Sequence, residues 1–452
     1  MTTPDSNKLP LSTKIGYGLG DVGSNFFIVT TGMFLLFFLT NTLGVEPAVA
    51  GLALLFPKLW DVVSDPVMGA ISDATKSKMG RRRPYLLYGS VPFGSSLFFL
   101  FIAPHYQSDI LIVVHVGIVV AIACTTFTVI NVPYSSMVAE MSNNYNERMS
   151  ITSFRMAFAS IGAMMSGGLA MPLVNIGGSG ESGFRLMSLI FGLVMIFSCL
   201  TCFRATRHTP FLSPSDKLPG MKTQLKVALQ NRPFLMLMTS YFFQALAMGV
   251  LMAGMIYFVK HVMNLPETSM GIIFPIFLGS AILFIPFWVK VGIKLGKIRA
   301  YTIGLSFLTV MLFTLFFANP NQIGLFYGQI FLLGIGFSSF QLFPFSMLPD
   351  TIEYDEMKSG MRREGIFSGS WAAAQKTAYS VGPSIVGFAL SLSGFVNTDV
   401  QPESVDTGIR IVFCLFPALM MLLSFIPFFK YELTEKRFGE IKQKIQMNNS
   451  HS

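Results

Sequence analysis

Between residues 15 and 430 the chain alternates apolar runs, each long enough to cross a bilayer, with short polar gaps. A helix needs ~20 mostly apolar residues to span the hydrocarbon core. Lipid offers no partner to backbone N–H and C=O groups, so each spanning element must satisfy its own. The runs read as helices near 15–40, 47–72, 85–104, 110–140, 150–174 and 184–205, then near 233–259, 267–290, 300–318, 322–348, 366–394 and 407–430. Charged residues are 12% of the 452, against ~25% in a soluble domain, so a soluble class is excluded. The net charge of +9 is no nucleic-acid surface, because its Lys and Arg fall in the gaps between runs. Cys124, Cys199, Cys202 and Cys414 all lie inside apolar runs and read as small hydrophobes.

Sidedness follows from the gaps. Those after even-numbered runs hold Lys76 to Arg83, Arg148, Arg207 to Arg232, Lys294 to Arg299 and Lys358 to Arg363, and the tail adds Lys436, Arg437, Lys442 and Lys444. The opposite gaps hold only Arg185, Lys260 and Arg410. The positive-inside rule then puts both termini in the cytoplasm. The polar opening "MTTPDSNKLPLS" carries no cleavage signal and is expected to stay there as the chain inserts. The polar stretch from Arg207 to Pro233 separates two groups of six runs. The expected organisation is a six-helix half over 1–206, a cytoplasmic linker over 207–232, a second six-helix half over 233–431 and a cytoplasmic tail over 432–452. "GAISDATKSKMGRRRP" closes the second run and "VKVGIKLGKIRAY" the eighth, a faint sign that the halves are parallel repeats.

An ionisable side chain at mid-bilayer costs at least ~2.5–3.5 kcal/mol on insertion scales and is a functional candidate by default. The second run holds Lys58, Asp61 and Asp65, whose spacing by three and four puts them on one helix face, with Ser64 beside them. Pro57 and Pro66 bracket the group and free backbone carbonyls. A structural pair of Lys58 with Asp61 accounts for one carboxylate only. Two adjacent carboxylates repel unless a proton or cation lies between them, which favours cation binding over a purely structural role. Thr128 and Asn131, one turn apart in the fourth run, could add oxygens. Lys376 lies deep in the eleventh run, with Asp61 or Asp65 as its expected partner, and a cation displacing that ammonium would couple two ligands by charge competition. Asp21 and Asn25 face inward on the glycine-rich first run, where Asp21 needs a reason to be buried.

Four stretches and one lysine carry a resemblance. "GYGLGDVGSN", "KLWDVVSDPVMGAISDATKSKMGRRRP", "INVPYSSM" and "SMLPDTIEYDEMKSGMRREGIFSG", followed by Lys376, occur in this order. The chain resembles the glycoside–pentoside–hexuronide:cation symporters of the major facilitator superfamily. That likeness implies an all-α integral membrane protein with twelve transmembrane helices in two six-helix halves. It implies a secondary transporter of a bacterial inner membrane, needing no cofactor beyond a coupling Na+, Li+ or H+ and binding no other metal. Asp61, Ser64, Asp65 and Thr128 would hold the cation. Arg155 and Lys376 would line the solute cavity, with Asp21, Asn25, Lys58, Asn131, Gln341 and Trp371 as further solute candidates. Asp73 and Arg81, Arg82 and Arg83 would form an inner-face latch answered by Asp350, Glu353, Arg362 and Glu364.

Departures from the family pattern bear on the solute. Melibiose-type members hold galactoside hydroxyls with carboxylates in spans one and four, where this chain has Asn25 and Asn131. A sugar-stacking aromatic of span ten aligns with Gln341. Another glycoside, a pentoside or a uronide is therefore expected, and Arg155 with Lys376 would suit an anionic one. The expected partners are such a small solute, a monovalent cation and membrane lipid, with no nucleic acid. A cation-coupled symporter of lysolipid or another organic solute is the alternative within transport, since animal lysophosphatidylcholine carriers share the paired carboxylates of span two. A membrane-embedded enzyme finds no HExxH or GxSxG signature to support it. A sensor would bind solute without accumulating it.

Overall fold

The computed structural model describes residues 9–102, 106, 108–142, 144–207, 209, 230–359, 364–398, 401–431 and 433. Most of the expected linker and nearly all of the expected tail lie outside them, as does Arg362; the side chains of Lys58 and Glu364 are likewise outside. Among the described residues every regular element is helical. The first six are α1 (Leu11–Thr42), α2 (Pro47–Ala74), α3 (Arg83–Tyr88, resuming as Ser90–Leu100), α4 (Asp109–Met141), α5 (Tyr145–Ile176) and α6 (Gly180–Ala205). The second six are α7 (Arg232–Val262), α8 (Met270–Leu295), α9 (Lys297–Leu315), α10 (Ile323–Ser359), α11 (Glu364–Leu392) and α12 (Glu403–Phe429).

Nine of these, among the described residues, are long and apolar enough to cross a membrane, and α2, α3 and α11 complete the twelve expected from the runs. The apolar run of α2 is broken by Lys58, Asp61, Asp65 and Asp73. Hydropathy and helix part company at some ends. The tenth run stops near 348, but α10 continues to Ser359, because "DTIEYDEMKS" holds good helix formers that need no lipid around them.

Helix ends are written locally. Glu46 caps α2, its carboxylate accepting from the Val49 N–H at 2.9 Å, and Pro47 fills the first turn where no donor is needed. At the end of α1, Leu43 N–H donates to Phe38 O at 3.0 Å and Val45 N–H to Leu39 O at 2.9 Å; at the end of α7, Met263 donates to Phe258 at 3.0 Å and Leu265 to Val259 at 3.0 Å. Gly44 (φ +69°) and Asn264 (φ +51°) hold the left-handed residue of each turn, the two residue types that best tolerate it. The two first helices thus stop by the same device, a second trace of the internal repeat.

The chain divides into two compact units. Unit 1 comprises Met1–Asp216, Pro266–Phe274 and Gly387–Pro402; unit 2 comprises Lys217–Leu265, Pro275–Val386 and Glu403–Ser452. Inside unit 1, α3 and α6 meet at Gly94 and Gly192, where a Cβ on either would lie 2.4–2.5 Å from the other's carbonyl oxygen. Such backbone contact is how helices associate where lipid supplies no hydrophobic drive. Outward faces carry apolar stripes at four-residue spacing: Val63, Val67 and Ile71 on α2, Ile110, Val114, Ile118 and Ile122 on α4, and Leu189, Leu193 and Phe197 on α6 are all exposed. In water these would be aggregation surfaces; in a bilayer they are matched by the solvent. All four cysteines are buried and free.

Candidate functional site

Two polar clusters sit inside unit 1. The first lies between α2 and α4. Asp61 and Ser64 are buried and Asp65 half-buried, all on the α2 face turned to α4. Thr128, 1% exposed, comes from α4 to meet them. Its hydroxyl donates to Asp65 Oδ1 at 2.8 Å, while Asp61 Oδ1 is 3.5 Å away and Ser64 Oγ 3.4 Å. Thr128 has one proton, so of its two carboxylate contacts only the 2.8 Å one is a full hydrogen bond, and Ser64 can donate its own proton to the Thr128 oxygen. Two carboxylates and two hydroxyls therefore share one small space, an all-oxygen donor set that suits a hard monovalent cation or a proton. Pro66 removes the helical bond to the Val62 carbonyl, and Pro57 that to the Ala53 carbonyl. The four residues assigned to a cation from the resemblance are together in the structure.

The second cluster explains why Asp21 is buried. Arg155 of α5 reaches it with two bonds, Nε to Oδ2 at 2.7 Å and Nη2 to Oδ1 at 3.2 Å. Tyr134 of α4 donates to the same Oδ2 at 3.0 Å. Tyr17 OH donates to Tyr134 O at 2.5 Å, and Tyr17 O lies 2.8 Å from the Tyr134 hydroxyl, whose single proton it shares with Asp21 Oδ2. The guanidinium lies 4.6 Å from the Tyr134 ring centre and 5.8 Å from that of Tyr17, within cation–π range. This arrangement depends on the glycines of "GYGLGDVG". A Cβ on Gly20 would lie 2.6 Å from the Tyr134 ring, and one on Gly18 would lie 2.7 Å from Phe158. Asn25 turns its amide back to Asp21 O at 2.9 Å, and Asn131 is half-buried one turn beyond Thr128.

The arginine run has partners that the motif alone does not suggest. Arg82 binds Glu140 Oε1 through Nε at 2.9 Å and also contacts Ser72 and Asp73. Arg81 Nε shares Glu140 Oε1 at 2.8 Å. Arg83 donates to Arg207 O at 3.0 Å and Thr209 O at 2.7 Å. Glu140, Tyr134 and Tyr17 were missed from the sequence. For Glu140 the available signal was an acid closing a long apolar run while an arginine-rich gap stood nearby.

In unit 2, Asp350 is held by Lys297, whose Nζ lies 3.0 and 2.8 Å from its two oxygens. Glu353, Gln341 and Lys376 are half-buried on α10 and α11. Trp371 is 2% exposed and stacks on Tyr241 at 4.2 Å, which in turn stacks on Phe340 at 5.5 Å. These contacts of Arg81, Arg82 and Arg83 stay inside unit 1, and the Lys297–Asp350 pair stays inside unit 2.

The family described as MFS/sugar transport protein matches residues 16–435. An uncharacterized symporter of Synechocystis is 28% identical, covering 99% of both chains. A putative glycoside/cation symporter of Escherichia coli K12 is 27% identical over 97% of this chain and 95% of that protein. Among solved structures, an inward-facing bacterial homolog of the human lysosomal transporter Spinster superposes with a TM-score of 0.70 at 13% identity, covering 95% of this chain and 97% of that one. At that identity the likeness speaks for the fold alone, and the fold is that of major facilitator transporters. The resemblance read from the motifs is thereby borne out along nearly the whole chain. This protein belongs to the MFS/sugar transport family and is a membrane transporter, not an enzyme.

Proposed function

We propose that this transporter couples uptake of a sugar-class solute, a glycoside, pentoside or uronide, to a monovalent cation by alternating access. The observation that carries the coupling is the gathering of Asp61, Ser64 and Asp65 around the Thr128 hydroxyl. The cation, Na+, Li+ or H+, is cargo. As it enters, the Thr128 hydroxyl turns its proton away from Asp65 and offers a lone pair, so the site gains a ligand while the carboxylate repulsion is cancelled. The solute half of the reading is supported by the family description and by the glycoside/cation symporter relative. Asp21, Asn25, Lys58, Asn131 and Arg155 on unit 1 and Gln341 and Lys376 on unit 2 are assigned to the solute. Trp371 on unit 2 is assigned to the solute with them. Asp73, Arg81, Arg82 and Arg83, with Asp350, Glu353, Arg362 and Glu364, are assigned as gating charges that re-pair during the cycle.

The test is uptake into membrane vesicles from a panel of labelled glycosides, pentosides, uronides and lysolipids, with and without sodium. At least one sugar should accumulate; uptake of lysolipid alone would replace the sugar reading. The finer localisation proposed is a bacterial inner membrane with both termini cytoplasmic, supported by the Lys/Arg asymmetry of the gaps. An impermeant thiol reagent on intact cells should then spare a cysteine placed at Met79 and modify one placed at Glu181. The reverse pattern would invert the topology.

A further inference from the structure

A guanidinium inside a transporter of sugars suggests recognition of an acid, and on sequence grounds Arg155 favours an anionic solute. The structure gives Arg155 a different character. Its Nε and Nη2 are already bonded to Asp21, at 2.7 and 3.2 Å. Asp21 is 5% exposed and the Arg155 side chain 14% exposed, so water screens neither charge well. The pair is locally neutral. It is also held in place: the Tyr134 hydroxyl shares its one proton between Asp21 Oδ2 at 3.0 Å and Tyr17 O at 2.8 Å, its ring lies 4.6 Å from the guanidinium, and Tyr17 OH anchors Tyr134 O.

We propose that Asp21 sets the preference of this transporter for neutral over anionic sugars, by cancelling the Arg155 charge and leaving a fixed, uncharged hydrogen-bonding fork for solute hydroxyls. The inference rests on the sugar-symport reading. A guanidinium has five N–H donors, and Asp21 takes two of them. The remaining donors can serve hydroxyl oxygens of a pyranoside at no electrostatic cost. A solute carboxylate reaching the same donors must come within roughly 4–6 Å of the Asp21 carboxylate, the range over which like charges disfavour one another. Asn25, one turn along α1, presents an amide and adds no charge of its own. Asp21 is thus a positioning residue that acts through Arg155.

The experiment uses vesicles containing the full chain and matched probes: methyl glucoside against methyl glucuronide, and methyl galactoside against methyl galacturonide. Apparent affinities are measured as inhibition or uptake constants, and the neutral-to-uronide ratio is taken within each variant, so expression cancels and Lys376 is constant throughout. The wild type should favour the neutral member of a pair. Asp21→Asn should move the ratio toward the uronide by about tenfold or more, the scale of exposing a desolvated charge to a ligand. Asp21→Asn combined with Arg155→Gln should return it toward the neutral sugar. Tyr134→Phe, which keeps the ring and removes the hydroxyl shared by Asp21 and Tyr17 O, should move the ratio toward the uronide by less than Asp21→Asn does, and it carries the test if Asp21→Asn yields no folded protein. An unchanged ratio in the variant that folds, or a wild type that prefers the uronides, overturns the proposal. A wild type that takes up no member of any pair or of the wider sugar panel instead defeats the sugar reading, and this inference with it.

Discussion

Asp65→Asn is expected to abolish cation-driven accumulation while the protein still folds and reaches the membrane. The amide keeps the carboxylate's shape, and its Oδ1 can still accept the 2.8 Å bond from Thr128, so packing between α2 and α4 survives. The negative charge that holds the cation is gone. Removing one partner of a desolvated charge pair typically costs about 2–5 kcal/mol, which on the cation corresponds to a loss of affinity on the order of 10²-fold or more. Solute exchange down its own gradient should persist without stimulation by any cation. Uphill uptake by Asp65→Asn with unchanged cation dependence would mean that the paired acids are structural.

Glu140→Ala should strongly destabilise unit 1. Glu140 Oε1 accepts from Arg81 at 2.8 Å and Arg82 at 2.9 Å, with the Arg82 and Glu140 side chains 8% and 7% exposed. Breaking a buried ion pair costs up to ~3–5 kcal/mol, and the exposed Asp73, which also contacts Arg82, offsets part of that. Detergent-solubilised Glu140→Ala should unfold at a clearly lower temperature than the wild type, and Glu140→Gln should fall between them. Equal unfolding midpoints for all three would show that Ser72 and Asp73 satisfy Arg82 without Glu140.

The spans were legible in the sequence because lipid imposes one requirement on every helix, and a run such as 110–140 meets it on apolar content alone. On α2 the chemistry was legible too: residues 61, 64 and 65 must share a face, whatever the tertiary fold. Thr128 as their partner came from family likeness, since nothing in a local pattern brings α4 to α2. The Asp21–Arg155 pair was beyond reach for a similar reason. The two residues are 134 positions apart, and their meeting depends on a missing Cβ at Gly20 that lets the Tyr134 ring come close. The stacking of Trp371 on Tyr241, far along the chain, is likewise a product of the fold that no local pattern shows. Glu140 sits where hydropathy ends, and only the fold brings two arginines onto one of its oxygens.

The central claim is that solute moves uphill because a cation moves downhill through Asp61 and Asp65. Its most direct test is the accumulation ratio of a transported sugar in proteoliposomes of purified protein under imposed inward gradients of Na+, Li+ or H+. The ratio should rise above unity for at least one of these ions, return to unity when an ionophore collapses that gradient, and stay at unity in Asp65→Asn. Accumulation that ignores all three gradients, or that survives in Asp65→Asn, would contradict the account.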